Sequence, residues 1–385
     1  MFQFEQTIFR TSLQSFQRVM ILMGIVCCLN PSVSKQDLSC RKLTTMSLHI
    51  TAIFSLVVYL IHRHLKNVRE SIYNSDDIFT IALQGLGFST LLMVQLIVYL
   101  ESSWKVEMYH KIFNKFEQMR ILLLDKFAIQ FDCSRLKFYI RLLQIHFTIN
   151  MISIICFVVV TLPLKVDLLL SMYAELVLKV KMFEFMFFIV VFMVMIFDVC
   201  RAARLQCRLV EMMQFASSVQ RQECLMGFVA LQDLHALLWE NVQVLTNYFE
   251  WSLPGLFAKQ LIDLTLLAYW AFLNTELGTT ARVRYYLIVL WAVQIFTLTI
   301  ACLLCSICER WERKLRSSFR NILKDRRNPL LMRCLNRISM QLWHEPISFE
   351  AGHFVTVNIG ALGKGLVTAG LCILYAHWGR KQITK

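Results

Sequence analysis

Residues Lys181–Cys200, KMFEFMFFIVVFMVMIFDVC, are apolar everywhere except at Lys181, Glu184 and Asp198. Such a run reaches the ~20 residues that a helix needs to cross the hydrocarbon core of a bilayer. In hydrocarbon every backbone amide must bond within the structure, so a span is a helix or part of a closed barrel. Barrel strands alternate apolar and polar positions, and this run does not. Working outward from it, similar runs occupy Thr45–Ile61, Ile78–Leu100, Phe138–Leu162, Gly255–Leu273, Tyr285–Cys308 and Thr356–Trp378. The reading is an all-α, multi-spanning membrane protein with seven transmembrane helices. Composition agrees: 57% of residues are apolar and 17% charged, against about a quarter charged in soluble domains, and the mean hydropathy is +0.54.

The five prolines, Pro31, Pro163, Pro254, Pro329 and Pro346, all fall between the apolar runs, where a residue that cannot donate to the helix ladder belongs. With no tandem repeat or Gly/Ser linker, residues 1–385 read as one integral-membrane domain. Within it lie a cytoplasmic N-terminal segment (1–44), spans one to six with cytoplasmic helical extensions (45–308), cytoplasmic linker helices (309–355) and a last span (356–378). Val19–Leu29 is too short for a span and reads as an interfacial or re-entrant helix; no small-x-small cleavage site follows it, as a signal peptide would require.

Basic residues set the orientation. The N-terminal segment and the stretches Glu101–Arg141, Arg201–Pro254 and Glu309–Val355 hold 27 Lys and Arg, whereas the alternate set holds 9, three of them in the C-terminal tail. The N-terminus is therefore expected in the cytoplasm and the C-terminus outside. Cysteines point the same way. Cys40, Cys133, Cys207, Cys224 and Cys334 all fall in the stretches assigned to the cytosol, where thiols stay reduced. The net charge of +14 then marks topology and attraction to anionic lipid. The basic run from Glu309 to Arg327 reads as a helix continuing the sixth span, and no nucleic-acid module accompanies it.

Few residues suggest chemistry. Cys302, Cys305 and Cys308 lie on successive turns of one apolar helix without a fourth ligand, so helix packing outweighs a zinc site; acylation of Cys308 is the weaker alternative. His62-Arg63-His64 reads as an interfacial anchor. No Gly-rich phosphate loop, HExxH or GxSxG is present, so no catalytic residue, cofactor or metal is expected and the chain is read as not an enzyme. Ionisable residues inside spans are functional candidates. Lys181 with Glu184, and Lys259 with Asp263, have the spacing to pair, near a membrane surface in the first case. Lys364 has no acidic partner on its own helix.

The last span holds four of the chain's twelve glycines, Gly360, Gly363, Gly365 and Gly370. Small residues allow close helix approach in membranes. Lys364, Thr368 and Tyr375 share roughly one face, which suits a pore-lining helix in a symmetric oligomer and equally an interior helix of a monomer. Spans five and six carry Thr265, Tyr269, Trp270, Phe272, Trp291 and Gln294. An aromatic belt accounts for part of this set, and an apolar pocket with a few polar groups is the functional alternative.

The C-terminal third resembles the insect gustatory receptors. Cys305-x-x-Cys308-Glu309 closes the sixth span, and a basic helix and Ile338-Ser339-Met340-Gln341-Leu342-Trp343-His344 follow. Phe349-x-Ala351-Gly352-x-Phe354-x-x-x-Asn358 then leads into the last span. The family's pattern is Leu-Gln-Leu, then Phe-x-Ala-Cys-Gly-Phe-Phe-x-x-Asn before its final helix. Leu245-Thr246-Asn247-Tyr248-Phe249 resembles another family landmark. Where the family's last span carries Thr-Tyr and Gln-Phe, this chain has Gly370-Leu371 and His377-Trp378, so a role of that Gln-Phe pair in the gate does not transfer.

The resemblance implies a ligand-gated, non-selective cation channel of the plasma membrane in a sensory neuron. Four subunits, identical or related, would surround a pore lined by Lys364, Thr368, Leu371, Tyr375 and His377. A small-molecule tastant, bitter or unidentified, would bind in the outer half of each bundle. The competing classes are a non-conducting subunit of a heteromeric chemoreceptor, a transporter and a G-protein-coupled receptor. The last has its N-terminus outside, and the Asp-Arg-Tyr and Asn-Pro-x-x-Tyr motifs are missing here.

Overall fold

A computed structural model of the chain describes residues 78–161, 166–212, 218–276, 281–322 and 329–383, with isolated positions between 51 and 66. Segment 1–44 with Val19–Leu29, and most of the first expected span, lie outside the described residues. The order is α1 (Ile78–Trp104), α2 (Val106–Phe127), α3 (Cys133–Thr161), α4 (Val166–Met212), α5 (Ser218–Tyr248), α6 (Ser252–Glu276), α7 (Ala281–Ile322), α8 (Pro329–His344), β1 (Glu350–Ala351), β2 (Val355–Thr356) and α9 (Ile359–Ile383).

Helix α4 organises the bundle. It runs for 47 residues without a glycine or proline to stop it, which at 1.5 Å per residue is about 70 Å, over twice the ~30 Å hydrocarbon core. Except for Phe197, every residue from Val177 to Cys200 is buried. A helix apolar on all sides must be surrounded, and α4 packs against α1, α2, α3, α5 and, most extensively, α7. Its first turns occupy part of Pro163–Val180, which the sequence reading treats as an outer connection. Polar residues there, Glu175 and Lys179, depress local hydropathy without interrupting the helix. Helix α7 is likewise uninterrupted for 42 residues and continues beyond Glu309 into the basic run as far as Ile322.

Among the described residues, the stretches assigned to the cytosol are largely helical. In α2 the buried residues Tyr109, Ile112, Phe116, Met119 and Leu123 recur at helical spacing and pack on α5. The helix ends at Ala128, whose left-handed backbone (φ 51°) lets its own N–H reach the Leu124 carbonyl and the Ile129 N–H reach that of Leu123, a common helix stop. In α3 the pattern is reversed: Phe138, Leu142, Ile145, Ile149 and Ile152 form an exposed apolar stripe, as a helix facing lipid requires.

Among the described residues, four helices are long and apolar enough to cross a membrane, over Gly85–Ser102, Cys133–Cys156, Met172–Val210 and Arg284–Phe319, and a shorter apolar helix covers Ile359–Tyr375. Helix α6, which holds the expected span Gly255–Leu273, contains Lys259, Gln260 and Asp263 and is not among the four.

Candidate functional site

Two groups of buried charges and one exposed stripe stand out among the places where the described residues depart from an apolar core. The first group forms where α1 ends and α5 gives way to α6, beside the middle of α4. Lys181 Nζ lies 2.8 Å from the Glu184 carboxylate, and both side chains are completely buried. Lys181 also donates to Ser102 Oγ (3.2 Å) and to the Tyr248 hydroxyl (3.1 Å), which donates in turn to Glu184 (2.9 Å). The ammonium stands 4.2 Å and 4.6 Å from the ring centres of Tyr248 and Phe249, close enough for attraction by the π-faces. The spacing does produce the expected pair, but at the centre of the protein.

Adjacent to it, the Glu101 carboxylate accepts the N–H groups of Trp251 and Ser252, each at 2.9 Å. These amides begin α6 and have no partner within the helix. Lys105 holds Glu101 (3.1 Å), Glu250 (2.9 Å) and the Asn247 carbonyl (2.5 Å). Together Glu101 and Lys105 fasten α1 to the α5–α6 junction.

The hairpin that precedes α9 rests on that same junction. Gly352 has φ +59°, and a Cβ there would lie 2.7 Å from Pro254 Cγ and 3.1 Å from the Glu250 carbonyl oxygen. Only glycine fits both constraints. Phe349 is buried edge-on to Phe192 of α4, with ring centres 5.4 Å apart. Asn358 Oδ1 accepts the Ala361 N–H (2.9 Å), and Ser306 Oγ of α7 accepts the Ile359 N–H (3.1 Å). The start of α9 is thus tied to α4, α6 and α7 through a short hairpin. The stretch Phe349–Asn358 thus meets the chain just after Leu245–Phe249, at Glu250 and Pro254, although the two stretches are far apart in sequence.

The second group lies among α4, α6 and α7. Lys179 donates to Gln294 Oε1 (2.6 Å) and stands 3.4 Å from Glu175. Lys259 pairs with Asp263 and lies 3.6 Å from Glu175. Two carboxylates face two ammonium groups, so this buried set is neutral. On α3, His146 and Asn150 share the Thr297 hydroxyl of α7 at 3.1 Å and 3.0 Å. Sequence reasoning named Gln294, Lys259 and Asp263 and missed Glu175, Lys179, His146, Asn150 and Thr297. The i,i+4 spacing of Glu175 and Lys179 was the available signal.

The six residues considered for a pocket are distributed as follows. Gln294 belongs to the second group, Tyr269 is buried with its ring edge-on to Trp270 (6.1 Å), and Thr265 bonds back to its own helix at the Leu261 carbonyl. Trp291 is exposed, and Phe272 lies in α6. A cleft of about 620 Å³ opens between α3, α4 and α7, lined by residues including His146, Ile149, Val190, Ala292, Phe296 and Leu304. None of the six lines it. Cys302, Cys305 and Cys308 are buried in α7, which withdraws Cys308 from acylation. Among the described residues no group of three His, Cys, Asp or Glu could hold a metal.

Helix α9 packs on α6 and α7, with Gly365 directly against Leu261. Its other side is exposed: Gly363, Lys364, Val367, Thr368, Leu371, Leu374 and Tyr375 form one continuous stripe. Four of the five residues considered for a pore lie on it, and His377 falls farther along the same helix. Around Gly363 and Gly370 no atom of the described residues lies within reach of a Cβ, so neither glycine serves packing against the described helices.

The family model described as 7tm chemosensory receptor matches residues 13–374. The candidate gustatory receptor 98a of Drosophila melanogaster is 33% identical over 144 residues, which is 37% of this chain and 37% of that protein. The insect olfactory receptor OR5 from Machilis hrabei has the same fold, with a TM-score of 0.67 at 13% identity over 96% of this chain and 97% of the other. The structure of that receptor in complex with eugenol gives 0.62 at 12% identity, over 95% and 98%. The chain belongs to the 7tm chemosensory receptor family, a family of receptors and not of enzymes.

Proposed function

We propose that this chain is a gustatory receptor subunit that forms a ligand-gated cation channel, four subunits surrounding a pore lined by the exposed stripe of α9. The observation that carries this reading is the one-sided burial of α9. In a chain otherwise packed around α4, the last helix leaves Lys364, Thr368, Leu371 and Tyr375 uncovered on one face, at the spacing a symmetric assembly would use. Seven spans, a cytoplasmic N-terminus and residence in the plasma membrane of a sensory cell belong to the same reading.

The ligand is a small, largely apolar molecule; bitter compounds fit that description, and eugenol in the olfactory receptor of the same fold is of similar character. Gating is a population shift: a ligand that binds the open arrangement more tightly moves the equilibrium by its differential affinity alone. The hairpin tied to Glu250 and Pro254 transmits the change to α9. Lys364 sits one to two turns from the start of α9, in a wide inner vestibule. Four lysines in a narrow passage would repel cations.

Currents recorded from cells expressing the chain test this. Ligand-evoked cation current is expected, and Lys364→Glu should increase its cation preference. Unchanged conductance and selectivity would remove Lys364 from the conduction path. A tag at the N-terminus reached by antibody on intact cells would overturn the orientation. The replacement of the family's Thr-Tyr and Gln-Phe by Gly370-Leu371 and His377-Trp378 favours a second reading, a binding subunit that conducts only with a related partner. Silence when expressed alone and current on co-expression would select it.

A further inference from the structure

A cleft of about 600 Å³ lies on the outside of the bundle where α1 ends and α2 begins. Its wall on the α1 side is apolar, formed by Ile97 and Leu100, the latter 52% exposed. Two indoles stand at its rim, Trp104 at 88% exposure and Trp251 at 61%. Beyond them are Glu107 and Lys111, one turn apart on α2 and both exposed. Neither has an ion-pair partner among the described residues. Glu101 and Lys105 complete the lining, already engaged with each other and with α5 and α6.

From wall to rim the lining passes from aliphatic to indole to charged, the order in which a bilayer passes from acyl chain through the interface to headgroup. The cleft also falls where the apolar stretch Gly85–Ser102 gives way to the charged helix α2. Its lining charges are Glu101, Glu107, Lys105 and Lys111, so they cancel. A neutral cleft with separated unpaired charges suits a headgroup carrying both signs better than a net anion.

We propose that this cleft binds one zwitterionic glycerophospholipid, with its phosphate on Lys111, its ammonium against Glu107 and the two indole faces, and its acyl chains along Ile97 and Leu100. The site rests on the membrane reading of the chain and is independent of conduction and of orientation.

Native mass spectrometry of the purified full-length receptor, with phosphatidylcholine, phosphatidylglycerol or glycerophosphocholine added, tests the assignment. One phosphatidylcholine per chain should be retained in preference to phosphatidylglycerol, and the chainless headgroup should neither bind nor displace it. Lys111→Ala should lower retention about fivefold, and Trp104→Ala with Trp251→Ala about tenfold. Glu107→Lys, which makes the cleft positive, should reverse the preference toward phosphatidylglycerol. Equal retention by these variants, equal retention of the two lipids by the parent chain, or displacement by glycerophosphocholine would overturn the proposal. Retention as expected in a receptor that gives no ligand-evoked current would leave the site standing and refute the channel reading.

Discussion

Helices α4 and α9 are both apolar and both end in polar sequence, yet the bundle treats them in opposite ways. From Val177 to Cys200 every residue of α4 except Phe197 is buried inside the chain, and its charged residues Glu175, Lys179, Lys181 and Glu184 all find opposite charges or hydrogen-bond partners there. Among the described residues helix α9 packs chiefly on α6 and α7, and it leaves a stripe with Lys364 and Thr368 uncovered. Hydropathy reports how a helix relates to water and says nothing of what replaces the water. For α4 the replacement is the protein itself. For α9 the contacts stop at one side, and the polar residues on the other are the reason to look for an assembly.

The largest effect should come from breaking the α4 pair. Lys181→Met leaves Glu184 buried without its counter-charge, a change that costs ~3–5 kcal/mol where a buried pair is broken. The expected result is loss of monodisperse receptor in size-exclusion chromatography and a markedly lower melting temperature. Lys181→Met with Glu184→Met removes both charges and should recover most of the loss. A single Lys181→Met that melts like the parent would show that α4 does not depend on its buried charges.

A second test extends the comparison to α5, which buries one face and exposes Met226 and Val229 on another. His235 is 2% exposed, and its imidazole is pushed down to about 4 by burial and, secondarily, by the positive charge of Arg316; the Glu345 carboxylate stands 3.9 Å away. The folded chain keeps His235 neutral while the unfolded chain protonates it near pH 6.5. Stability is therefore complete above about pH 6.5 and falls as pH drops toward 4, by up to about 3 kcal/mol. His235→Gln should flatten that part of the melting-temperature profile. An unchanged slope would mean that Glu345 holds the protonated form as well as burial opposes it.

The hairpin comes next. Gly352→Ala must adopt φ near +59° and push on Pro254, at a cost of about 1–3 kcal/mol. Because the hairpin joins the α5–α6 junction to α9, the ligand concentration for half-maximal current should shift along with the melting temperature. A shift in melting alone would make the hairpin a structural clasp without a part in gating.

The apolar runs made the helical class readable, because a bilayer fixes both span length and continuity. Lys181 with Glu184, and Lys259 with Asp263, were readable as pairs because i,i+3 and i,i+4 neighbours share a helix face. What joined those pairs was not readable. Tyr248 reaches Lys181 from 67 positions away, and Glu101 caps α6 from 150 away; no local pattern encodes such contacts. Glu175 and Lys179 were hidden for another reason. They sit in a polar stretch that resembles a connection by hydropathy, although nothing in it stops a helix. Gly352 was visible as part of a motif, but its need for a left-handed backbone and for the space beside Pro254 appears only once α6 is in place.

The smallest effect on the single chain belongs to the α9 stripe, and there the comparison is most exposed to failure. Val367 and Leu371 are 65% and 52% exposed, so Val367→Ala or Leu371→Ala should change the stability of the dispersed protomer by no more than ~0.5 kcal/mol. If four stripes meet at an axis, the same substitutions remove side chains from the narrowest apolar passage. Basal current without ligand should then rise, and Leu371→Ala, farther from the inner end, should have the larger effect. Melting and recording on the same variants separate the alternatives. A large loss of protomer stability would place the stripe against another part of its own chain. Unchanged melting with unchanged current would take the stripe off the axis. Stable protomers with altered current would mean that α9 does its work on the side that the rest of the chain leaves open.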